Sequence, residues 1–286
     1  MAEKKFDVII ESKYNPLDFH FRELLRYRDL IFLFVRRNFV AQYKQTVLGP
    51  AWAIIQPLLT TIVFSVIFGN VAGLGADGVP TFIFYLSGTV MWSYFGSCLT
   101  NTSNTFISNS SILGKVYFPR LVMPISTVFS NLIGFGIQFG MFLCFIIYYL
   151  FVDSGVQVNW GVCMFPLYVI QLAMLALGFG VIISSLTTKY RDLAMLVGFI
   201  AEMWKYLTPI AYDMFKLHAL APGGKLHVLY MLNPVTPIIN GFRYGFLGIG
   251  QIEWLYYGIG WATTIVIFLI GVLLFNRVER TFMDTI

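Results

Sequence analysis

The chain has 286 residues, of which 58% are hydrophobic and only 12% charged, with a mean hydropathy of +0.75 and a formal net charge of +5. These values exclude a soluble globular domain and point to an integral membrane protein. Its apolar runs are continuous instead of alternating over about ten residues, which argues for membrane helices and against a β-barrel.

The amino-terminal region carries nine Lys and Arg residues up to Lys44. Its one apolar patch, IFLFV, is too short and too heavily flanked by charge for a signal peptide, so the first span is expected to serve as an uncleaved insertion signal. Within VRRNFVAQYKQTVLGPAWAIIQPLL, residues 35–59, Val35, Phe39, Tyr43 and Val47 recur at every fourth position while Arg36, Arg37, Gln42 and Lys44 face away. That pattern predicts an amphipathic helix lying in the membrane interface. Gly49 and Pro50 then let the chain turn into the first span. The helix reads either as an anchor drawn to anionic lipid or as a lateral gate for an anionic head group.

Asp, Glu, Lys and Arg are absent between Lys44 and Asp77, Gly78 and Gly114, Leu121 and Val152, Ser154 and Thr188, and Trp254 and Asn276. A spanning helix needs about 20 apolar residues. The runs predict six spans, over 51–68, 81–99, 121–151, 160–186, 193–212 and 254–275. Fifteen of the nineteen basic residues fall on the side of the two termini, and the first and third loops have none. By the positive-inside rule both termini are then cytoplasmic.

The segment 213–253 fits neither a loop nor a span. It holds APGG, the prolines of NPVTP and a broken apolar stretch, which predicts a re-entrant helix pair, allowed only where protein or water covers the turn. Arg243 in it should find a carboxylate such as Glu202 or Asp213, unless it snorkels to the interface. The expected architecture is all-α: a cytoplasmic segment over 1–49 with the interface helix, then a six-helix membrane domain over 50–286.

Catalytic patterns are missing: there is no HExxH, GxSxG or GxxxxGK[ST], and His20, His218 and His227 are scattered. No metal or cofactor is expected in the chain, and ATP hydrolysis is not expected of it alone. Cys98, Cys144 and Cys163 read as small apolar packing residues. The spans hold almost no acids of the kind that line ion paths, Glu202 with Lys205 one turn away being the exception.

The stretch YRDLIFLFVRRNFVAQYKQTVLGPAWAIIQPLL resembles the start of the membrane subunit of ABC exporters for lipid-linked polysaccharides and polyol phosphates, the group handling O-antigen, capsule and wall teichoic acid. NSSILGKVYFPRLVMP, TTKYRDL, LTPIAYD and LNPVTPIINGFRYGFLG follow in the same order, and together they cover the chain from about His20 onward. The resemblance implies a multi-pass permease of a bacterial inner or cytoplasmic membrane. It also implies a homodimer that works with two copies of a cytoplasmic ATPase, which would hold the ATP and Mg. The cargo would be an undecaprenyl-diphosphate-linked glycan.

On that resemblance the loops 104–120 and 187–193 are coupling segments that dock on the ATPase through Ser108, Asn109, Lys115, Tyr190, Arg191 and Asp192. Arg36, Arg37 and Lys44 are the candidates to meet the diphosphate, since guanidinium groups offer paired donors. Trp52, Gln56, Thr60, Trp204 and Tyr206 are candidates to line the passage, because sugars suit aromatic faces and neutral polar groups. Aromatics also form interface belts, and hydroxyls also bond their own helix. Two other readings stand beside the polysaccharide permease: an ABC permease for a small lipid or drug, and a membrane enzyme acting on a lipid-linked sugar. The absence of a paired acid and base disfavours the enzyme. No nucleic-acid partner is expected.

Overall fold

A computed structural model describes residues 24, 26–44, 46–109, 112, 118–187 and 192–281, and among these every regular element is helical. Helix α1 spans Arg28–Tyr43 and stops where Lys44 turns to an extended conformation. A short 3-10 turn, Gly49–Ala51, leads into α2, Trp52–Phe64, which loosens into a π-helical stretch, Ser65–Val71. Then come α3, Thr81–Ser103; the single turn α4, Thr105–Ser108; and α5, Val122–Phe151. A 3-10 turn, Trp160–Met164, opens α6, Phe165–Thr187. The chain continues through α7, Leu193–Leu207; α8, His227–Met231; α9, Val235–Leu247; and α10, Trp254–Thr281.

Five helical segments are long and apolar enough to cross a membrane: Gly49–Val71, Thr81–Ser103, Val122–Phe151, Trp160–Thr187 and Trp254–Arg277. They match five of the six expected spans. The sixth, expected over 193–212, is 15 residues of helix in α7, or about 22 Å at 1.5 Å per residue, short of a hydrocarbon core of about 30 Å. The reason is local. Pro209 disfavours the helical conformation of the residue before it, and Thr208 accordingly sits at ψ 142.

Helix α3 is the inner helix. It is the most deeply buried and the least apolar of the five spans, and α2, α5, α6, α7 and α9 all pack on it. Lipid offers helices no hydrophobic gain on meeting one another, so small and polar residues mark the packed face. Ser87, Thr89 and Ser103 satisfy their hydroxyls on the carbonyls of Phe84, Tyr85 and Leu99, leaving α3 free to bury that face. The most extensive helix contact joins α6 to α10. There Gly178 and Gly271 bring backbone against backbone: a Cβ on Gly271 would lie 2.7 Å from the Gly178 carbonyl oxygen.

The expected re-entrant pair resolves into unequal parts. Residues 213–226 are turns, α8 is only five residues, and α9 is a full helix buried along almost its whole length. The turns follow from Pro222, Gly223 and Gly224, with Gly223 at φ +88. Helix α9 packs on α3, on α6, on α10 and on the Trp160–Met164 turn, and ends at Gly248 in the left-handed conformation.

Arg243 does not snorkel and makes no direct salt bridge to Glu202 or Asp213, although the Asp213 carboxylate is near enough to act on its charge. It is buried, and its guanidinium donates to the carbonyls of Pro209, Ile210 (3.1 Å) and Phe84 (3.5 Å) and to Ser87 Oγ (3.2 Å), with its carbon 3.8 Å from the Phe84 ring centroid. Glu202 instead pairs with Lys205, one turn along α7. The chain that leaves α7 at Pro209 has free carbonyls, and five donors in a planar fork can collect them where a carboxylate cannot reach. Asn233 completes the knot, accepting from Trp204 Nε1 (3.1 Å) and donating to Thr208 Oγ1 (3.0 Å).

Loops tie into this end as well. Asp213 N–H donates to the Leu74 carbonyl (2.9 Å), Lys216 reaches Asp77 (2.9 Å), and His227 lies between the Leu220 carbonyl (2.7 Å) and Glu253 (3.0 Å).

Candidate functional site

Helix α1 packs along α5, but its buried edge differs from the expected stripe. Phe34 is buried with Leu24 against Phe106, Phe118 and Val122, flanked by Tyr27, Leu30 and Ile31. Val35, Phe39 and Tyr43 are half-buried beside this edge, and Val47 lies beyond the helix and fully exposed. The i+4 repeat overran the true end at Tyr43 by one turn.

The three cations assigned to the diphosphate are separated. Arg36 and Lys44 are exposed. Arg37 folds over the Phe34 ring, 4.7 Å from its centroid, and donates to Asn38 Oδ1 (3.0 Å) and Asn109 Oδ1 (2.7 Å). Partial burial lowers its pKa from the ordinary guanidinium value. Arg37 thus joins the interface helix to the end of α4, where Asn109 also donates to the Thr105 carbonyl (3.0 Å). Of the other coupling candidates, Ser108 and Asp192 are exposed, whereas Lys115, Tyr190 and Arg191 lie outside the described residues.

The passage candidates fall in two places. Trp204 is half-buried, edge-on to Phe95 (5.1 Å) and Phe179 (5.3 Å), and bonded to Asn233. Tyr206 is exposed and sits 6.4 Å from Phe64 of α2, with Lys205 5.5 Å from its ring centroid. Thr60 donates to the Gln56 carbonyl (3.1 Å). Trp52 and Gln56, at the start of α2, help enclose a cavity of about 130 Å³.

That cavity draws on four helices. Gln42 and Tyr43 come from the end of α1, and Trp52, Ala53 and Gln56 from the start of α2. Helix α3 supplies Ser93, Tyr94 and Ser97, and α5 supplies Asn131, Gly134, Phe135 and Gln138. Among the described residues that line it, none is charged and most present neutral hydroxyl or amide groups. Asn131 Oδ1 accepts from Asn101 Nδ2 (3.1 Å) and its amide N–H faces the Cys98 thiol, whereas Gln138 Oε1 is buried with no hydrogen-bond partner among the described residues.

The basic helix and the first span are therefore two walls of one cavity, joined by the turn at Gly49 (φ +50). Sequence reasoning found Trp52 and Gln56 but not Ser93, Asn131 or Gln138. The signal was present: Asn131, Gly134 and Gln138 recur at i, i+3 and i+7 in an apolar run, so one face of α5 carries them all.

The described residues hold no group of three His, Cys, Asp or Glu side chains able to bind a metal. Cys98 is buried, while Cys144 and Cys163 are exposed and all three are unpaired. Among the described residues that line the cavity there is no carboxylate, imidazole or amine.

Residues 29–247 match the family model described as ABC-2 type transporter. The chain is 28% identical over 262 residues to an O-antigen export system permease protein RfbA of Klebsiella pneumoniae, covering 90% of this chain and 94% of that protein. It is 26% identical over 222 residues to RfbA of Myxococcus xanthus, covering 78% and 82%. It is 25% identical over 207 residues to the inner membrane transport permease YadH of Escherichia coli K12, covering 70% and 77%.

Proposed function

Since the chain belongs to the ABC-2 type transporter family, we propose that it is the membrane subunit of an exporter for a polysaccharide or polyol phosphate carried on undecaprenyl diphosphate. The observation that carries this reading is a near end-to-end likeness to O-antigen export permeases, over 90% of this chain and 94% of the relative. The neutral, hydroxyl- and amide-lined cavity supports a glycan over an apolar drug or lipid. In this reading the chain works as a homodimer in a bacterial inner membrane, with both termini cytoplasmic, and a separate ATPase hydrolyses ATP. The segment 208–212 continues α7 to complete a sixth crossing, and α8 with α9 forms an element at the outer exit.

The work of the chain is to admit, orient and enclose. A diphosphate cannot leave water cheaply without a countercharge, whereas its lipid tail stays in the bilayer. Admission is therefore lateral, at the interface beside Arg36 and Lys44, where a charge-assisted hydrogen bond is worth about 1.5 to 3 kcal/mol. Gly49 and Pro50 form the hinge between these cations and the wall of the passage. Segments 104–120 and 187–193 receive the ATPase.

Deleting the gene tests the reading. Lipid-linked glycan should accumulate in the cytoplasm, with export restored by the parent chain, and the chain should co-purify with a co-expressed ATPase from the same operon. Unchanged glycan pools would overturn the assignment of cargo.

A further inference from the structure

We infer that His227 and Glu253 form a proton-operated clasp, in which an imidazolium facing a carboxylate holds the short helix α8 and the turn before it against the start of α10, and loss of the proton releases them. A carbonyl oxygen only accepts, so His227 Nδ1, 2.7 Å from the Leu220 carbonyl, carries a hydrogen. His227 Nε2 lies 3.0 Å from Glu253 Oε2. An ionised carboxylate also only accepts, so both contacts hold together only when the pair has one proton more than a neutral imidazole and a carboxylate have. Imidazole is ordinarily the stronger base of the two. Glu253 also sits at the head of α10, its carbonyl accepting from Tyr257 N–H (3.0 Å), where the unpaired N–H groups of a helix start favour a negative charge. The extra proton therefore belongs to the ring.

Burial makes the arrangement two-state. His227 is 5% exposed, so water is not at hand to replace a lost partner. Without the extra proton, a ring lone pair must face either the Glu253 carboxylate or the Leu220 carbonyl, and one of the two contacts turns repulsive. Little else holds this element: α8 has five residues, and the apolar cluster beneath it is centred on Met214, Leu220 and Met231. The neighbouring titratable and charged groups are engaged or exposed. Tyr256 of α10 meets the His227 ring edge-on at 5.6 Å, and Tyr230 of α8 meets Tyr212 edge-on at 6.3 Å. On the turns, Asp213 Oδ1 accepts from Phe215 N–H (3.0 Å), Lys216 pairs with Asp77, and His218 and Lys225 are exposed. On α9 the one charged side chain, Arg243, is held by backbone carbonyls. The closed state binds one proton more than the open state, so the clasp is complete in acid and is lost as the pH rises. In the transport reading this end is the outer exit, and acidity outside the membrane keeps its cover closed.

Two readouts on the full chain in lipid nanodiscs test the clasp. Solid-state NMR of isotopically labelled histidine reports the protonation of each ring, with His227 assigned by its loss in His227→Gln and exposed His218 as the reference. Nitroxides on Val228→Cys and Leu255→Cys, both exposed positions, report the separation of α8 from α10 by dipolar broadening. The labelled chain lacks Cys98, Cys144 and Cys163 and is diluted with unlabelled chain. From about pH 5 to about pH 9, across the ordinary imidazole range, the His227 ring should pass from imidazolium to neutral and the broadening should be lost over the same interval. Glu253→Gln should keep the broadening throughout, because an amide can donate to a neutral Nε2.

A neutral His227 ring at the acid end would overturn the charge assignment and the clasp with it. Deprotonation with unchanged broadening would show a proton that moves nothing, and broadening lost in Glu253→Gln at the parent's pH would assign the opening to another group; either overturns the proposal. Glycan that accumulates on deletion of the gene, together with a separation that ignores pH, would defeat the clasp and leave the transport reading standing. A pH-driven separation with unchanged glycan pools would do the reverse.

Discussion

Arg243 and Gln138 are buried polar groups in opposite situations. Around Arg243 the chain satisfies itself: three carbonyls and a hydroxyl meet one guanidinium, and Asn233 links Trp204 to Thr208. Gln138 leaves its carbonyl oxygen buried and unmet among the described residues. A polar group that closes on its own chain specifies a shape, and one left unmet does not.

The contrast is broken most directly at Arg243. Removing the guanidinium strands neutral acceptors, and each buried acceptor left unsatisfied costs about 1 to 3 kcal/mol. Arg243→Met should therefore lower the melting temperature and the yield of folded protein sharply, read by fluorescence-detected size-exclusion chromatography after heating. Arg243→Lys should recover little, because one ammonium cannot span four acceptors. Near-parental melting of Arg243→Met would mean that the knot is not structural.

The coupling segments come next. Ser108→Pro with Arg191→Glu should abolish co-purification of the ATPase while leaving the permease inserted. Retained binding in the double variant would remove segments 104–120 and 187–193 from that role.

A third substitution separates Arg37 from Arg36. Arg37→Gln removes the charge-assisted bond to Asn109, a loss of about 1.5 to 3 kcal/mol, and should reduce export and substrate-stimulated ATP hydrolysis several-fold without changing insertion. Asn109→Ala should reproduce part of that loss, and Arg36→Gln should act only through the head group. When both arginines are replaced by Lys, anchoring should persist with export only partly restored. Full export by that pair would leave α1 as an anchor and nothing more.

The smallest effect on stability is expected at Gln138→Leu. Replacing an unpartnered buried amide by an apolar group of similar size should shift stability by no more than about 1 kcal/mol, while export falls. A large loss of stability would show that Gln138 belongs with Arg243 as a structural group and would erase the contrast.

Much of the fold was legible because lipid imposes one simple rule on composition. Five charge-free runs became five long helices, within a few residues of the expected bounds. The span expected over 193–212 is helical only to Leu207, because Pro209 ends the helix while the hydropathy continues. Arg243 was half legible: Asp213 acts on its charge, but its direct partners are backbone carbonyls, which every residue has and no composition reveals. The cavity was half legible. Trp52 and Gln56 stood out beside the basic helix, but the other wall lies about 80 residues further along α5, and only the fold brings Gln138 opposite Gln56.

Mechanically, the glycine-to-glycine contact of α6 and α10 leaves no layer of side chains on which one helix could slip past the other. With α3 packed on α6, these three helices form one block. Helices α1 and α2 meet at the corner at Gly49, and α1 is held to α4 twice, by the bond from Arg37 to Asn109 and by Phe34 packed with Phe106.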